Sequence, residues 1–101
     1  MPGPIPPSPE QIRAQYEAAA QRALDDVAVA WGYDDLRSAV SYIGSKVAKW
    51  DAEGKALRDY RDDFWQAANA IKVSVQNGAA MPDTAAGFVA MLPAPPNKPA
   101  A

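Results

Sequence analysis

The residues best able to do chemistry in this chain are three clustered aspartates, Asp59, Asp62 and Asp63. On a helix, Asp59 and Asp63 would share one face, a spacing that can bring two carboxylates to a divalent cation. The sequence contains no histidine and no cysteine. The commonest general base, the commonest metal ligand and every thiolate are therefore missing. We expect no metal site, no cofactor and no enzymatic activity.

These aspartates lie in a long periodic stretch that we expect to form one helix over residues 46–76. Apolar positions recur at alternating steps of three and four, which defines one helix face. Seven of its nine members are apolar, the exceptions being Gly54 and Arg61. The nine are Val47, Trp50, Gly54, Leu57, Arg61, Phe64, Ala68, Ile71 and Val75. Ser45 is the expected N-cap, and Asn77-Gly78 is the expected stop.

A second face of this helix carries the aromatic side chains of Tyr60 and Trp65, which lie off the first face. One helix cannot turn both faces toward a single neighbour. Either the helix is sandwiched between two elements of its own chain, or one aromatic face contacts another protein. In a homo-oligomer, that protein is a second copy. Because Tyr and Trp are enriched at binding hot spots, Tyr60 and Trp65 are candidate partner-binding residues.

The charged side chains of the long helix are spaced for pairing in solvent. Four pairs of opposite charge stand four residues apart: Lys49–Glu53, Asp51–Lys55, Lys55–Asp59 and Arg58–Asp62. Arg61 differs because it falls on the apolar face, where an unpaired charge is costly. We expect Arg61 to pair with Asp34 or Asp35 of the preceding element, the alternative being a contact with a partner.

An N-terminal helix is expected over residues 9–31. Ser8, Pro9 and Gln11 combine an N-cap serine, a proline at the first helical position and a glutamine at the third, which is the pattern of a capping box. The apolar stripe that follows is narrow and rich in alanine, so this helix can approach a neighbour closely. Gly32 is the expected stop.

Two short helices complete an all-α prediction. Asp34 is expected to cap a helix over residues 35–42, and Asp83 or Thr84 to cap one over residues 84–91. Short connections favour antiparallel neighbours. The sequence therefore predicts a small helical bundle, a single domain spanning residues 8–92, in which the long helix packs antiparallel on the N-terminal helix.

Proline-rich segments flank this domain, an N-terminal arm over residues 1–7 and a C-terminal tail over residues 93–101. Both favour an extended polyproline II conformation. The N-terminal arm is either disordered or docks in a groove of a partner or of its own fold. In the second case Pro4, Ile5 and Pro6 are candidate partner-binding residues.

Composition excludes two classes of partner. The net charge is −2, with 10 basic and 12 acidic residues, so nothing in the charge favours a nucleic acid. No apolar run approaches the roughly 18 residues of a transmembrane helix. We expect neither nucleic-acid nor membrane binding.

Residues 31–92 resemble a family of small proteins of tailed bacteriophages that are associated with tail fibres and baseplates. The likeness lies in an aromatic element, an E-G-x-A-L segment, an aromatic-Arg-Asp-x-x-Trp core and a short helix before Leu-Pro. The matching residues are Gly32, Tyr33 and Asp34; Glu53, Gly54, Ala56 and Leu57; Tyr60, Arg61, Asp62 and Trp65; and Pro82, Thr84, Leu92 and Pro93.

The resemblance implies a non-enzymatic structural or assembly protein of a phage tail. Its partners would be other tail or tail-fibre proteins, and its location the virion tail, or the host cytoplasm during assembly. Trp31 and Tyr33, at the aromatic element, join the candidate partner-binding residues. The alternative is a free-standing helical binding module, either a host-directed regulator or a tail-fibre chaperone absent from the virion.

Overall fold

The computed structural model describes Ile5, Pro6 and residues 8–99. Four helices follow one another along this part of the chain: α1 (Pro9–Ala30), α2 (Leu36–Val40), α3 (Ala48–Gln76) and α4 (Ala85–Ala90). No strand occurs among the described residues. The expected all-α bundle, with a long helix packed on an N-terminal helix, is confirmed.

Local signals set both ends of α1. The Ser8 hydroxyl accepts from the Gln11 backbone N–H at 3.2 Å, and the Gln11 side chain accepts from the Ser8 N–H at 2.8 Å. At the other end, Gly32 adopts a φ of +101°, which glycine tolerates best. The Tyr33 N–H can then reach the Ala28 carbonyl oxygen at 3.0 Å, completing a Schellman motif.

The starts of α2 and α3 differ from the prediction. Asp35, not Asp34, caps α2, because its carboxylate accepts from the Ser38 N–H at 2.7 Å. The carboxylate of Asp25 on α1 accepts from the Leu36 N–H at 3.0 Å, so a second helix also caps α2. Ser45 does not cap α3, since its hydroxyl accepts from Val47 in a local turn at 3.1 Å. The helix begins two residues later than predicted, at Ala48, with no side-chain cap.

The core contains side chains from all four helices and from Leu92, which lies two residues after α4. Its largest fully buried apolar side chains are Leu24, Leu57 and Phe64. The remaining buried apolar members are Ala20, Ala28, Leu36, Ala39, Tyr60, Ala68, Phe88 and Leu92. The core combines small alanine side chains, two of them on α1, with the aromatic side chains of Tyr60, Phe64 and Phe88.

Helices α2 and α3 approach each other closely at Gly54. A Cβ placed on Gly54 would stand 2.9 Å from the Ala39 carbonyl oxygen, so only glycine leaves room for the two backbones. The alanine-rich helix α1 packs against α2 and α4, whereas few residues of α1 and α3 bring their backbones within 8 Å. Helices α1 and α3 both contribute side chains to the shared core.

The molecule is elongated, with extents of 60 × 32 × 18 Å and a radius of gyration of 16.5 Å. A compact chain of this length would have a radius of about 13 Å. The 29 residues of α3 span about 44 Å and contribute to this elongation. The far part of α3 therefore extends beyond the elements that cover its centre.

Candidate functional site

An apolar groove lies between the first half of α1, the part of α3 from Trp65 onward and the segment that leads into and includes α4. Its volume is about 560 Å³, and we call it the α1–α3 groove. Its principal apolar walls are Ile12, Tyr16, Trp65, Ile71, Val75 and Phe88. Residues near the start of α1 and the end of α3 meet here, as antiparallel packing requires.

Tyr16 holds the floor of the groove in place. Its ring stacks on Phe88 with centroids 5.4 Å apart and an interplanar angle of 21°. Its hydroxyl donates a hydrogen bond to the Pro82 carbonyl oxygen. Because the Tyr16 side chain contacts both α4 and the segment before it, the floor of the groove is preformed in the isolated chain.

Trp65 forms the wall on α3. Its indole meets Phe64 edge-on, with centroids 5.9 Å apart and an interplanar angle of 88°, and Phe64 is only 1% exposed. The partly buried Trp65 ring thus packs against the core residue Phe64, and its accessible surface lines the groove. A fixed aromatic side chain with free surface is typical of a binding hot spot.

Polar side chains surround the apolar floor. Arg13 and Glu17 approach from α1, and Asn69, Lys72 and Gln76 from α3. An apolar centre with a polar rim is the usual anatomy of a protein–protein interface. The rim carries both charge signs, so the apolar surface contributes more to recognition than net charge does.

A second aromatic cluster lies at the opposite end of the molecule. Tyr42 lies between Tyr33 and Trp50, with centroid distances of 5.6 Å and 5.4 Å. Tyr42 is 38% exposed and Trp50 43% exposed. Trp50 was expected on the buried face of the long helix, but it lies in the first turn of α3, which begins at Ala48, and it remains largely exposed.

Beside this cluster lies a buried carboxylate, that of Glu53. The residue is 2% exposed, and its Oε1 accepts from the Tyr33 hydroxyl at 2.8 Å. Burial of the phenol, then the hydrogen bond and negative charge of Glu53, raise the pKa of Tyr33 to about 12. The expectation that Glu53 forms a solvated pair with Lys49 is wrong, because Glu53 turns inward and meets Lys98 from the C-terminal tail.

Three further ion pairs on α3 join residues that are close in the sequence. Arg61 binds Asp62 at 2.9 Å, so the expected pair with Asp34 or Asp35 is wrong. Asp51–Lys55 forms as predicted at 3.0 Å. Arg58 pairs with its neighbour Asp59, so the expected pairs Arg58–Asp62 and Lys55–Asp59 are both wrong. In the described part of the chain, no cluster of side chains could hold a metal ion. Asp59, Asp62 and Asp63 therefore do not form a metal site there.

The structure separates the candidate partner-binding residues instead of bringing them together. Trp65 lines the groove, whereas Tyr60 is 6% exposed and packs edge-on to Phe64, so Tyr60 belongs to the core. This corrects the expectation that Tyr60 faces a partner. Trp31 and Tyr33 pack against the opposite end of the core. Ile5, which is 91% exposed, and the exposed Pro6 precede α1, and Pro4 lies outside the described residues.

Sequence reasoning missed several groove residues because distant segments supply them. These residues are Tyr16 of α1, Met81 and Pro82 of the segment between α3 and α4, and Phe88 of α4. A usable signal was present in α3 itself, where the apolar face continues through Ile71 and Val75 beyond the last residue that the core buries.

Comparison with known proteins identifies no relative. No family model, no curated protein and no solved structure matches this chain. None of the described helices has the length and apolar character needed to cross a membrane. The site must therefore be interpreted from its own geometry.

Proposed function

We propose that this chain is a non-enzymatic structural or assembly protein of a bacteriophage tail, which binds a larger tail or tail-fibre protein through the α1–α3 groove. The observation that carries the binding role is the open apolar groove with Trp65 fixed in its wall. The tail context is supported by the resemblance of residues 31–92 to tail-fibre-associated phage proteins.

The residues that carry that resemblance act mainly in the scaffold. Gly32 ends α1, Gly54 permits the α2–α3 crossing, and Thr84 caps α4. Leu57 and Leu92 belong to the core. A motif made of such residues describes a fold and not a reaction, which agrees with a non-enzymatic role.

The groove suits an apolar helix or extended segment of the partner. Residues Trp65 to Gln76 span about 17 Å along α3, enough for about three turns of a helix laid beside it. The floor presents aromatic and aliphatic surface, and the rim offers hydrogen-bonding groups at its edges. A partner helix with bulky apolar residues on one face and polar residues on the other matches this arrangement.

Two valines on α3 provide a matched test. Val75 lines the groove, whereas Val73 lies two residues away, does not line the groove and is 44% exposed. We expect Val75→Lys to abolish capture of tail proteins from a phage lysate and incorporation into virions, because it puts a charge among apolar walls. Val73→Lys should leave both unchanged.

The measurement is quantitative mass spectrometry of purified virions and of proteins captured by each variant. Equal melting temperatures would show that both variants fold. Equal capture by the Val75 and Val73 variants would contradict the groove as the binding surface.

Virion content separates the alternatives within this proposal. Stoichiometric copies in purified virions indicate a structural component, whereas absence together with misfolded tail fibres indicates a chaperone. Recovery of host proteins alone would favour a free-standing, host-directed module. A second copy of the chain is the other occupant that the groove can take, and light scattering of the isolated protein would detect it as a dimer or trimer.

A further inference from the structure

The C-terminal tail turns back along the fold. Leu92 is 8% exposed and belongs to the core, which anchors the start of the segment from Pro93 to Pro99. In this segment, Pro93, Pro96 and Pro99 are partly buried and the residues between them are exposed. A burial period of three is that of a polyproline II helix, which has three residues per turn and no internal hydrogen bonds.

Lys98 holds the far end of this segment. Its ammonium lies 3.5 Å from Oε2 of Glu53 and 3.4 Å from the Trp31 carbonyl oxygen, to which it donates a hydrogen bond. The Lys98 side chain remains 42% exposed, whereas Glu53 is 2% exposed. The cation therefore sits at the mouth of a buried anionic site.

The site requires such a cation. Glu53 Oε1 accepts from Tyr33, but Oε2 has no hydrogen bond, although the Lys98 ammonium lies within ion-pair distance. A buried carboxylate oxygen without a full partner is costly. The ion pair with Lys98 relieves this cost only in part, because it leaves Oε2 without a hydrogen bond.

We propose that the surface formed by Trp31, Tyr33 and Glu53 is a receptor for polyproline segments of the form Pro-x-x-Pro-x-Lys. The chain's own residues from Pro93 to Lys98 have this form and occupy the receptor in cis. The partner that fits it in trans is a proline-rich, lysine-bearing segment of another protein. This proposal goes beyond the α1–α3 groove and does not depend on it.

Tethering explains why the receptor is closed in the isolated chain. A ligand joined by a short linker has an effective concentration of the order of millimolar. A free segment at micromolar concentration cannot compete with it. A partner gains access only when it binds elsewhere on the molecule as well, or when the contact of Lys98 is broken.

The test uses the full chain with Lys98→Glu, which places a carboxylate against Glu53 and releases the tail. The probe is a fluorescent synthetic peptide with the sequence from Leu92 to Pro99. We expect the peptide to bind K98E at least tenfold more tightly than the unmodified chain, as measured by fluorescence anisotropy. A peptide with glutamate in place of its lysine should not bind.

The matched control is Arg22→Glu, which makes the same change of charge at an exposed position of α1 outside the groove and leaves Lys98 in place. R22E should bind the peptide as weakly as the unmodified chain. Adding Glu53→Gln or Tyr33→Phe to K98E should weaken peptide binding, and Tyr33→Phe covers the case in which Glu53→Gln does not fold. Equal binding of the peptide to K98E and to the unmodified chain, or no binding to folded K98E at millimolar peptide, would overturn the proposal.

Discussion

The two parts of α3 carry one continuous apolar pattern but meet different surroundings. In the first part, from Ala48 to Phe64, helix α2 crosses at a glycine and the core buries Leu57, Tyr60 and Phe64. In the second part, from Trp65 to Gln76, only Ala68 is buried. Ile71 and Val75 continue the same helix face but border an open groove.

This difference shows that periodicity defines which face of a helix is apolar, but other elements decide where that face is covered. Helix α2 is joined to α3 by a short connection and lies against its first part. Helix α4, which could have covered the second part, packs mainly on α1 through Tyr16 and Phe88. The uncovered part of α3 is the part to which we assign a binding role.

The largest effect should come from truncating the covered part. Phe64→Ala should lower the free energy of unfolding by about 3–5 kcal/mol, because it leaves a cavity in a fully buried site. Ile71→Ala should cost only about 1 kcal/mol, since that side chain is partly and not fully buried. Urea denaturation of both variants measures the contrast, and equal losses would show that the groove is closed in solution.

The second prediction concerns the crossing of α2 and α3. Here the sign of the change in stability on replacing Gly54 tests how closely the two helices approach each other. Replacing glycine by alanine inside a helix normally stabilises it by about 1 kcal/mol. Gly54→Ala should instead destabilise the fold by about 1 kcal/mol net, because its Cβ would meet a backbone carbonyl oxygen. A rise in melting temperature for Gly54→Ala would mean that the two helices stand further apart.

The third prediction concerns Tyr33, which lies beside the covered part of α3. Its folded pKa of about 12 exceeds the ordinary value of 10, so its contribution to stability is fully present below pH 10. That contribution is lost as pH rises from 10 toward 12. Tyr33→Phe should remove the tyrosinate absorbance that develops near pH 12 and should reduce the alkaline loss of stability. An unchanged absorbance titration would show that Tyr33 does not contact Glu53.

The smallest effect is expected at Asp51, in the first turns of α3. A hydrogen bond from the Gly44 N–H at 2.8 Å and the pair with Lys55 hold the pKa of Asp51 below 3.8. Its stabilising contribution is present above pH 3.8 and is lost as pH falls through the lower folded value. Asp51→Asn should therefore reduce the acid sensitivity of unfolding slightly. Asp62→Asn, at an exposed pair on the same helix, is the control.

Sequence reasoning succeeded where the interaction partners are close in the chain. The capping box of Ser8 spans three residues, and the stop at Gly32 involves only the last turn of α1, so both could be predicted. The burial of Leu57 and Phe64 followed from periodicity. Asp51–Lys55, four residues apart, is also a local interaction.

It failed where distant residues decide the outcome. From the sequence, Glu53 is predicted to be a surface charge. In the fold it contacts Tyr33 and Lys98, which lie 20 and 45 positions away in the sequence. Tyr60 lies off the periodic apolar face of α3, yet the fold buries it beside Phe64. Trp65 was identified as a candidate, but the groove around it depends on the hydrogen bond from Tyr16 to Pro82, across 66 positions.

The second cap on α2 has a consequence for how the fold opens. A helix of five residues has almost no stability alone, and the Leu36 N–H is held by Asp25 of α1. Opening α2 therefore breaks its link to α1, and detaching α1 releases the first amide of α2. Hydrogen exchange at Leu36 should follow that of the α1 core amides, so that α1 and α2 open as one cooperative unit.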